Sequence, residues 1–446
     1  MRLKSFVMAA AAMMLLPAGT RAQQWTLEQC IAHALEHNIQ IQQARVEQER
    51  GDVSLWQARG QLFPNLSFST SHSLGYRPFE ESTQMVHDGQ VTTSSNKTTY
   101  SGSYALSANV TLWNGGINYQ NIKAQKLQNQ ITELCTEQRE QTLQEQIATL
   151  YVQILYSREA VEVNRQMEET ARSQYERAQV MQQQGQMSSA DVKQMEAQWR
   201  SAQYDIVSGE TALADYKRQL KSLLQLPVTD DFDVAARVPA ADEVTAPLPA
   251  KEATLVAALQ SRPEIRSAEL GVDAADLQLD IARRGYLPTL SVGASLGDNH
   301  FSASTNPYGQ QMKKNLNLSV GATLSVPIFD NRQNRAAVRR ARLGQLDSRL
   351  SLDDSRVQLG STVERLWLDA NSNQQKYIAA CAQTESRQQS YDLLNEQFAE
   401  GLKNVVDVQQ GRDQLLQAKQ AELQSKYTAL LNRQLLAFYT GQPLSL

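Results

Sequence analysis

The run from Leu316 to Phe329 constrains the fold more than any other feature of the sequence. Leu316, Leu318, Val320, Ala322, Leu324, Val326 and Ile328 are apolar, while Asn317, Ser319, Gly321, Thr323 and Ser325 between them are small or polar. Side chains alternate between the two faces of a strand, so this run has one oily face and one wet face. Strands of the same pattern are expected at about 66–76, 100–113 and 290–297. In the second of these, Tyr100, Tyr104, Leu106, Val110 and Leu112 oppose Ser101, Ser103, Ser107, Asn109 and Thr111. A soluble sandwich shows the same period. About 9 to 11 residues are nevertheless enough to cross a bilayer as a tilted strand, and the two longer runs have that reach. Four strands do not close a barrel, so as membrane strands they require several chains to share one.

Residues 1–22 read as an export signal. Arg2 and Lys4 precede an apolar run from Phe6 to Leu16, and Thr20 and Ala22 supply the small residues of a cleavage site after Ala22. Its removal deletes Arg2, Lys4 and Arg21 and no acid, taking the net charge from −4 to −7, a balance that argues against nucleic acid as a partner. Cys30, Cys135 and Cys381 lie far apart in helix-like sequence, so neither a disulfide framework nor a zinc finger is indicated. No later segment reaches about 18 consecutive apolar residues, the length a membrane-spanning helix needs. Strands remain the route into an outer membrane.

The chain also repeats itself. Ala34-Leu35-Glu36-His37-Asn38 aligns with Ala258-Leu259-Gln260-Ser261-Arg262, and Pro64-Asn65-Leu66-Ser67 with Pro288-Thr289-Leu290-Ser291, at an offset of 224 (258 − 34). Beyond the strands, Val110 to Asn114 aligns with Val326 to Asp330 and Gly185 with Gly401, at an offset of 216 (401 − 185). A surface loop between strands absorbs the difference at little thermodynamic cost. The expected division is residues 23–226 and 254–446 as two structural repeats, each helix, strand, loop, strand, long helix, turn, helix. Residues 227–253, rich in Pro and acid, form a linker, and the loops 77–99 and 298–315 are polar.

Helix lengths fit this scheme. From Ile117 to Gln184 there is no proline, and apolar residues step by four and three at Leu127, Ile131, Leu134 and again at Leu143, Ile147, Leu150, Ile154. That helix is about 100 Å long, against about 54 Å for Leu27 to Leu62 and about 57 Å for Ser189 to Leu226. Two shorter helices in line match one long one, and Leu255 to Gly285, Asn334 to Glu400 and Val405 to Tyr439 repeat the arrangement. Between long helix and return helix, Gly185 and Gly401 are the residue type that a left-handed helix C-terminus prefers. Ser188-x-x-Asp191 and Asn404-x-x-Asp407 then have the spacing of capping boxes, with hairpin turns at about 185–188 and 401–404.

Taken together the pattern resembles the TolC-type outer-membrane efflux and secretion channels. It is carried by Ala34-Leu35-x-x-Asn38, Ala258-Leu259-x-x-Arg262-Pro263-Glu264, Leu112-Trp113-Asn114-Gly115-Gly116, Pro327-Ile328-Phe329-Asp330, Gly185-x5-Asp191 and Gly401-x5-Asp407-Val408. The resemblance implies a mainly α chain with a shared transmembrane β-barrel: a homotrimer, twelve strands in one barrel set in outer-membrane lipid, and a helical tunnel in the periplasm. It implies a passive duct that meets a periplasmic adaptor and an inner-membrane pump, and no cofactor. It also implies that the turns form the periplasmic entrance, where Asp407 rings the lumen and three copies favour cations. Gln410 stands where a second ring acid would be, and Lys403 is the basic residue expected to tie the inner turn to Asp191. Phe398 replaces an aromatic hydroxyl and has no hydrogen to donate.

Two rival readings follow from the residues themselves. A trimeric coiled-coil scaffold of the envelope would share the helices without any transport. His33-Ala34-Leu35-Glu36-His37 spells the H-x-x-E-H pattern of inverted zinc proteases. Its repeat partner, Ala257 to Ser261, holds no metal ligand, so a surface histidine pair is expected and no metal. His72, His87 and His300 form no catalytic triad with a serine and an acid. No phosphate-binding glycine loop is present, so no enzyme activity is expected.

Overall fold

A computed structural model describes residues 24–76, 78–79, 83–87, 90–94, 97–229, 231–237, 240–302, 304 and 306–445. The expected export signal, parts of the loops 77–99 and 298–315, and linker residues 230 and 238–239 lie outside them. The chain runs β1 (Gln24–Trp25), α1 (Leu27–His37), α2 (Ile39–Gly60), β2 (Asn65–Tyr76), β3 (Thr83–His87), β4 (Gln90–Ser94), β5 (Thr98–Asn114), α3 (Ile117–Gln183) and α4 (Ser189–Leu224). Next come β6 (Asp233–Val234) and α5 (Ala241–Thr245). Then follow α6 (Lys251–Ser261), which opens three residues inside the expected linker, α7 (Pro263–Arg284), β7 (Thr289–Phe301), α8 (Tyr308–Lys314), β8 (Asn317–Ser325), α9 (Gln333–Ala399) and α10 (Val405–Tyr439). Two compact units form: one from Gln43–Gln138 and Arg262–Leu359, the other from the remaining chain up to Gln42, Arg139–Ser261 and Gly360 onward.

The first of these holds a four-stranded antiparallel sheet in the order β2-β5-β7-β8. Register decides what each face carries, because directly paired residues share a face. Phe68 pairs Leu106, Leu106 pairs Leu296 and Leu296 pairs Leu318, while Val110 pairs Val292 and Leu290 pairs Leu324. The opposite face is assembled from Ser67 with Ser107, Ser107 with Ser295, and Ser295 with Ser319. The oily face is open in a single chain: Phe68 is 66% exposed, Leu318 71% and Leu324 64%.

Four differences from the sequence expectation have local causes. β8 ends at Ser325 rather than Phe329, because Pro327 has no N–H to give a ladder. Trp113, not Leu112, pairs with Leu290, because a bulge between Thr111 and Trp113 sets the alternation back by one residue. The polar loops are not structureless: β3 and β4 form a hairpin in one, and α8 packs at the end of β7 in the other. The expected helix Leu27–Leu62 breaks at Asn38, whose side chain donates to Leu223 O at 2.9 Å and accepts from Gln40 N at 2.9 Å. Its counterpart breaks at Arg262, since Pro263 keeps the preceding residue out of the helical region and opens α7 at its first position.

In the other unit a core gathers Leu27, Ile41, Ile147, Ile154, Leu220 and Leu224, all essentially buried. The linker, expected to be irregular, is tied to this core by a short parallel pair in which Trp25 faces Val234. Tyr151 Oη donates to Trp25 O and Ala235 O at 3.2 Å each. Asp233 accepts from Arg158 at 2.5 Å and lies 2.8 Å from Lys217 Nζ. Burial alone would raise the Asp233 carboxyl, but the Lys217 hydrogen bond and the two cations hold it below the usual range.

Candidate functional site

The helical hairpin turns are built by backbone chemistry. Gly185 has φ +74° and Gly401 φ +76°, the left-handed conformation in which glycine meets no Cβ penalty. Around them Gln186 N donates to Met181 O at 2.8 Å and Leu402 N to Gln397 O at 2.9 Å. Gly185 N bonds Gln182 O at 2.9 Å and Gly401 N bonds Phe398 O at 3.0 Å, completing the same Schellman closure twice. Each return helix is then capped. Ser188 Oγ accepts from Asp191 N at 3.1 Å and Asn404 Oδ1 accepts from Asp407 N at 2.9 Å.

The reciprocal half of a capping box is made at Thr26 and Gln29 but not at these turns. The two acids are used otherwise. Asp191 Oδ2 accepts from the Ser188 hydroxyl at 2.7 Å, whereas Asp407 Oδ2 lies 3.9 Å from Lys403 Nζ. Lys403 therefore pairs within its own turn, and no tie to Asp191 is made among the described residues. Gln410 is exposed on α10, three residues beyond the half-exposed Asp407. Phe398 is buried beside Val405, Val408, Leu415, Met195 and Tyr391, so its ring is core.

Sequence reading missed Arg412. It is 6% exposed, in the seam that buries Val405, Val408 and Leu415, and its Nη2 donates to Asp413 Oδ1 at 2.9 Å. Its Nε and Nη1 have no hydrogen-bond partner among the described residues. Gln198 Nε2 also reaches Asp413 Oδ1 at 3.2 Å, and Gln194 Nε2 reaches Gln409 Oε1 at 2.8 Å, so α4 and α10 are joined by amides here. Burial raises the Asp205 carboxyl on α4, against the opposing charge of Arg412. A basic residue at a seam position was the available signal.

The sheet carries aromatic residues at both ends of its oily face. Trp113 sits opposite Leu290 near the helices, and His72, Tyr100, Tyr104 and His300 gather at the far end. His72 pairs with Gly102, and Gly102 pairs with His300. A Cβ at Gly102 would lie 2.2 Å from the His300 ring, so only glycine lets both imidazoles lie across β5. The other histidine pair is a stack: the His33 and His37 rings are 4.1 Å apart and Trp25 meets His33 edge-on at 5.1 Å. Burial and the neighbouring His37 lower the His33 pKa. No group of three metal-ligating side chains occurs among the described residues.

Comparison with known proteins places these features. The family model described as outer membrane efflux protein matches residues 30–225 and 254–442. The alkaline protease secretion protein AprF of Pseudomonas aeruginosa is 24% identical over 416 residues, 92% of this chain and 82% of its own length. The outer membrane protein TolC of Escherichia coli is 22% identical over 428 residues, 92% of this chain and 81% of its own. Among solved structures, CusC superposes with a TM-score of 0.79 at 18% identity, covering 95% of this chain and 93% of its own.

Proposed function

This chain belongs to the outer membrane efflux protein family, and from that premise we propose that three copies pool their sheets into one twelve-stranded barrel. It is an outer-membrane channel of the efflux and secretion class, and its family is one of channels rather than enzymes. The observation that carries the trimeric duct is the sheet itself. Four strands put leucine and valine on one face and serine, threonine and glycine on the other, and a cylinder of such sheets has a lipid side and a water side. The duct is passive, and another protein supplies the energy.

In this reading residues 23–226 and 254–446 act as equivalent structural repeats joined by 227–253. The turns at 185–188 and 401–404 form the periplasmic entrance. Gly185, Ser188, Asp191, Gly401 and Asn404 shape it, and Asp407 supplies the ring charge, tempered by Lys403 and unassisted by Gln410. A periplasmic adaptor and an inner-membrane pump dock there. Membrane fractionation with planar-bilayer recording tests the whole: material that needs detergent, crosslinks as trimers and conducts is the duct. A trimer without conductance is a scaffold, and a monomer in mild detergent sinks both.

A further inference from the structure

The unit that holds the sheet also carries a groove of about 680 Å³ between the end of α7 and the start of α9. Arg283 lines one wall and Arg335, Arg339 and Arg342 the other, with Tyr286 and Leu343 as apolar surface. The three arginines of α9 are spaced by four and three, which puts them on one helix face. None of the four guanidiniums, all on exposed residues, has an ion-pair or hydrogen-bond partner among the described residues. Neighbouring carboxylates are engaged elsewhere: Asp280 accepts from Arg284 at 2.8 Å and Gln120 at 3.1 Å, Asp276 from Gln345 at 2.5 Å, and Asp330 from Asn334 N at 2.7 Å.

This arrangement opposes two electrostatic rules at once. Arg335, in the first turn of α9, faces the positive end of the helix dipole, and like charges at helical neighbour positions repel each other. Guanidiniums lining one groove from two helices, with no direct acid partner, form a receptor for an oxyanion. Four forks exceed what one carboxylate can accept and match a phosphate, whose oxygens take several guanidiniums together. Tyr286 and Leu343 suit the organic part of an ester. We propose that this groove binds a phosphate group, carried as a monoester or diester. Two sources carry that chemistry: a phospholipid headgroup, since Arg283 lies just before β7 enters the sheet, or a soluble phosphorylated solute. The lipid source rests on the membrane reading of the sheet; the soluble source does not.

The test uses the purified full-length channel in neutral detergent. Thermal midpoints are compared for inorganic phosphate against chloride at equal ionic strength, and for micelles carrying phosphatidylglycerol against phosphate-free monoolein. Wild type is expected to be stabilised by phosphate over chloride, by phosphatidylglycerol over monoolein, or by both, and the responding arm names the source. R339Q/R342Q should need about tenfold more ligand for the same shift, while R349Q, outside the groove, should respond as wild type. If the double variant fails to assemble, R283Q on the facing helix carries the same measurement. No preference in either arm, or an unchanged response in the groove variants, overturns the proposal. Planar-bilayer recording of the same samples separates the two readings: conductance without phosphate preference sinks only the groove, and phosphate preference without conductance sinks only the duct.

Discussion

The two helical hairpins, α3 with α4 and α9 with α10, are copies in backbone and only partly in side chain. Their turns close through the same two hydrogen bonds, with glycines at φ +74° and +76° and a polar N-cap three residues later. At the same offset of 216 (401 − 185), Met187 corresponds to Lys403, Met195 to Gly411 and Glu196 to Arg412. α4 buries Val192, Met195, Ala202, Leu220 and Leu224, whereas α10 buries twelve residues. Duplication preserved what local backbone chemistry demands and released what it does not. Charge has drifted furthest where only neighbouring helices set it, while Val192 and Val408, Ala202 and Ala418, and Leu220 and Leu436 stay buried at equivalent positions.

Leu220 and Leu436 test whether the two return helices carry equal weight where they still match, since both are essentially buried at repeat-equivalent positions. Leu→Ala at either is expected to cost about 2–5 kcal/mol from lost burial plus the cavity left behind. Thermal midpoints and amide exchange along the helix would show it, and a much smaller loss at Leu220 would mean that only the second hairpin depends on this packing. Smaller effects are expected at the turns. Gly185→Ala and Gly401→Ala meet no neighbouring atom within 4 Å, so each should cost only the left-handed backbone penalty of about 1–2 kcal/mol. Unequal losses would show that one turn makes contacts the other lacks. Ser188→Ala and Asn404→Ala should each cost about 1 kcal/mol, the first somewhat more because its hydroxyl also bonds the Asp191 carboxylate.

What was legible in the sequence followed the same divide. The strands, the long helices and both turns rest on alternation, heptad-like steps and glycine placement, which are local signals. The turn caps were readable because an acceptor three residues before an acid needs no tertiary partner. Features set by tertiary pairing were not readable. The bulge at Leu112 appears only when β5 is laid against β7, and the β1–β6 pair joins residues more than 200 positions apart. Lys403 meets Asp407 four residues on, a local pair, whereas a partner 212 positions away (403 − 191) leaves no mark in the spacing. Arg412 in an apolar seam broke the pattern openly, yet the pattern could not say which acid it would meet. Arg335, Arg339 and Arg342 lay in plain view, but their convergence with Arg283 required the second helix.

The smallest energetic difference between the turns is the one on which the proposed entrance charge rests. The Lys403–Asp407 pair is 3.9 Å apart and its side chains are 42% and 38% exposed, so it is worth about 0–1 kcal/mol after solvent screening. Asp407→Asn should therefore leave thermal stability nearly unchanged. If Asp407 faces the lumen as proposed above, three neutralised carboxylates at one level lower the local cation concentration, and reversal potentials in a salt gradient should move toward non-selectivity. Lys403→Gln removes the tempering cation and should move them the other way. Asp191→Asn should do neither, because in the proposed reading the second-repeat turn is the inner one and Asp191 stands on the outer. Raising the salt should shrink both shifts, since the Debye length falls from about 10 Å at 0.1 M to about 3 Å at 1 M. Equal responses to Asp191→Asn and Asp407→Asn would mean that the repeats, however far their side chains have diverged, present the same charge to the permeating ion.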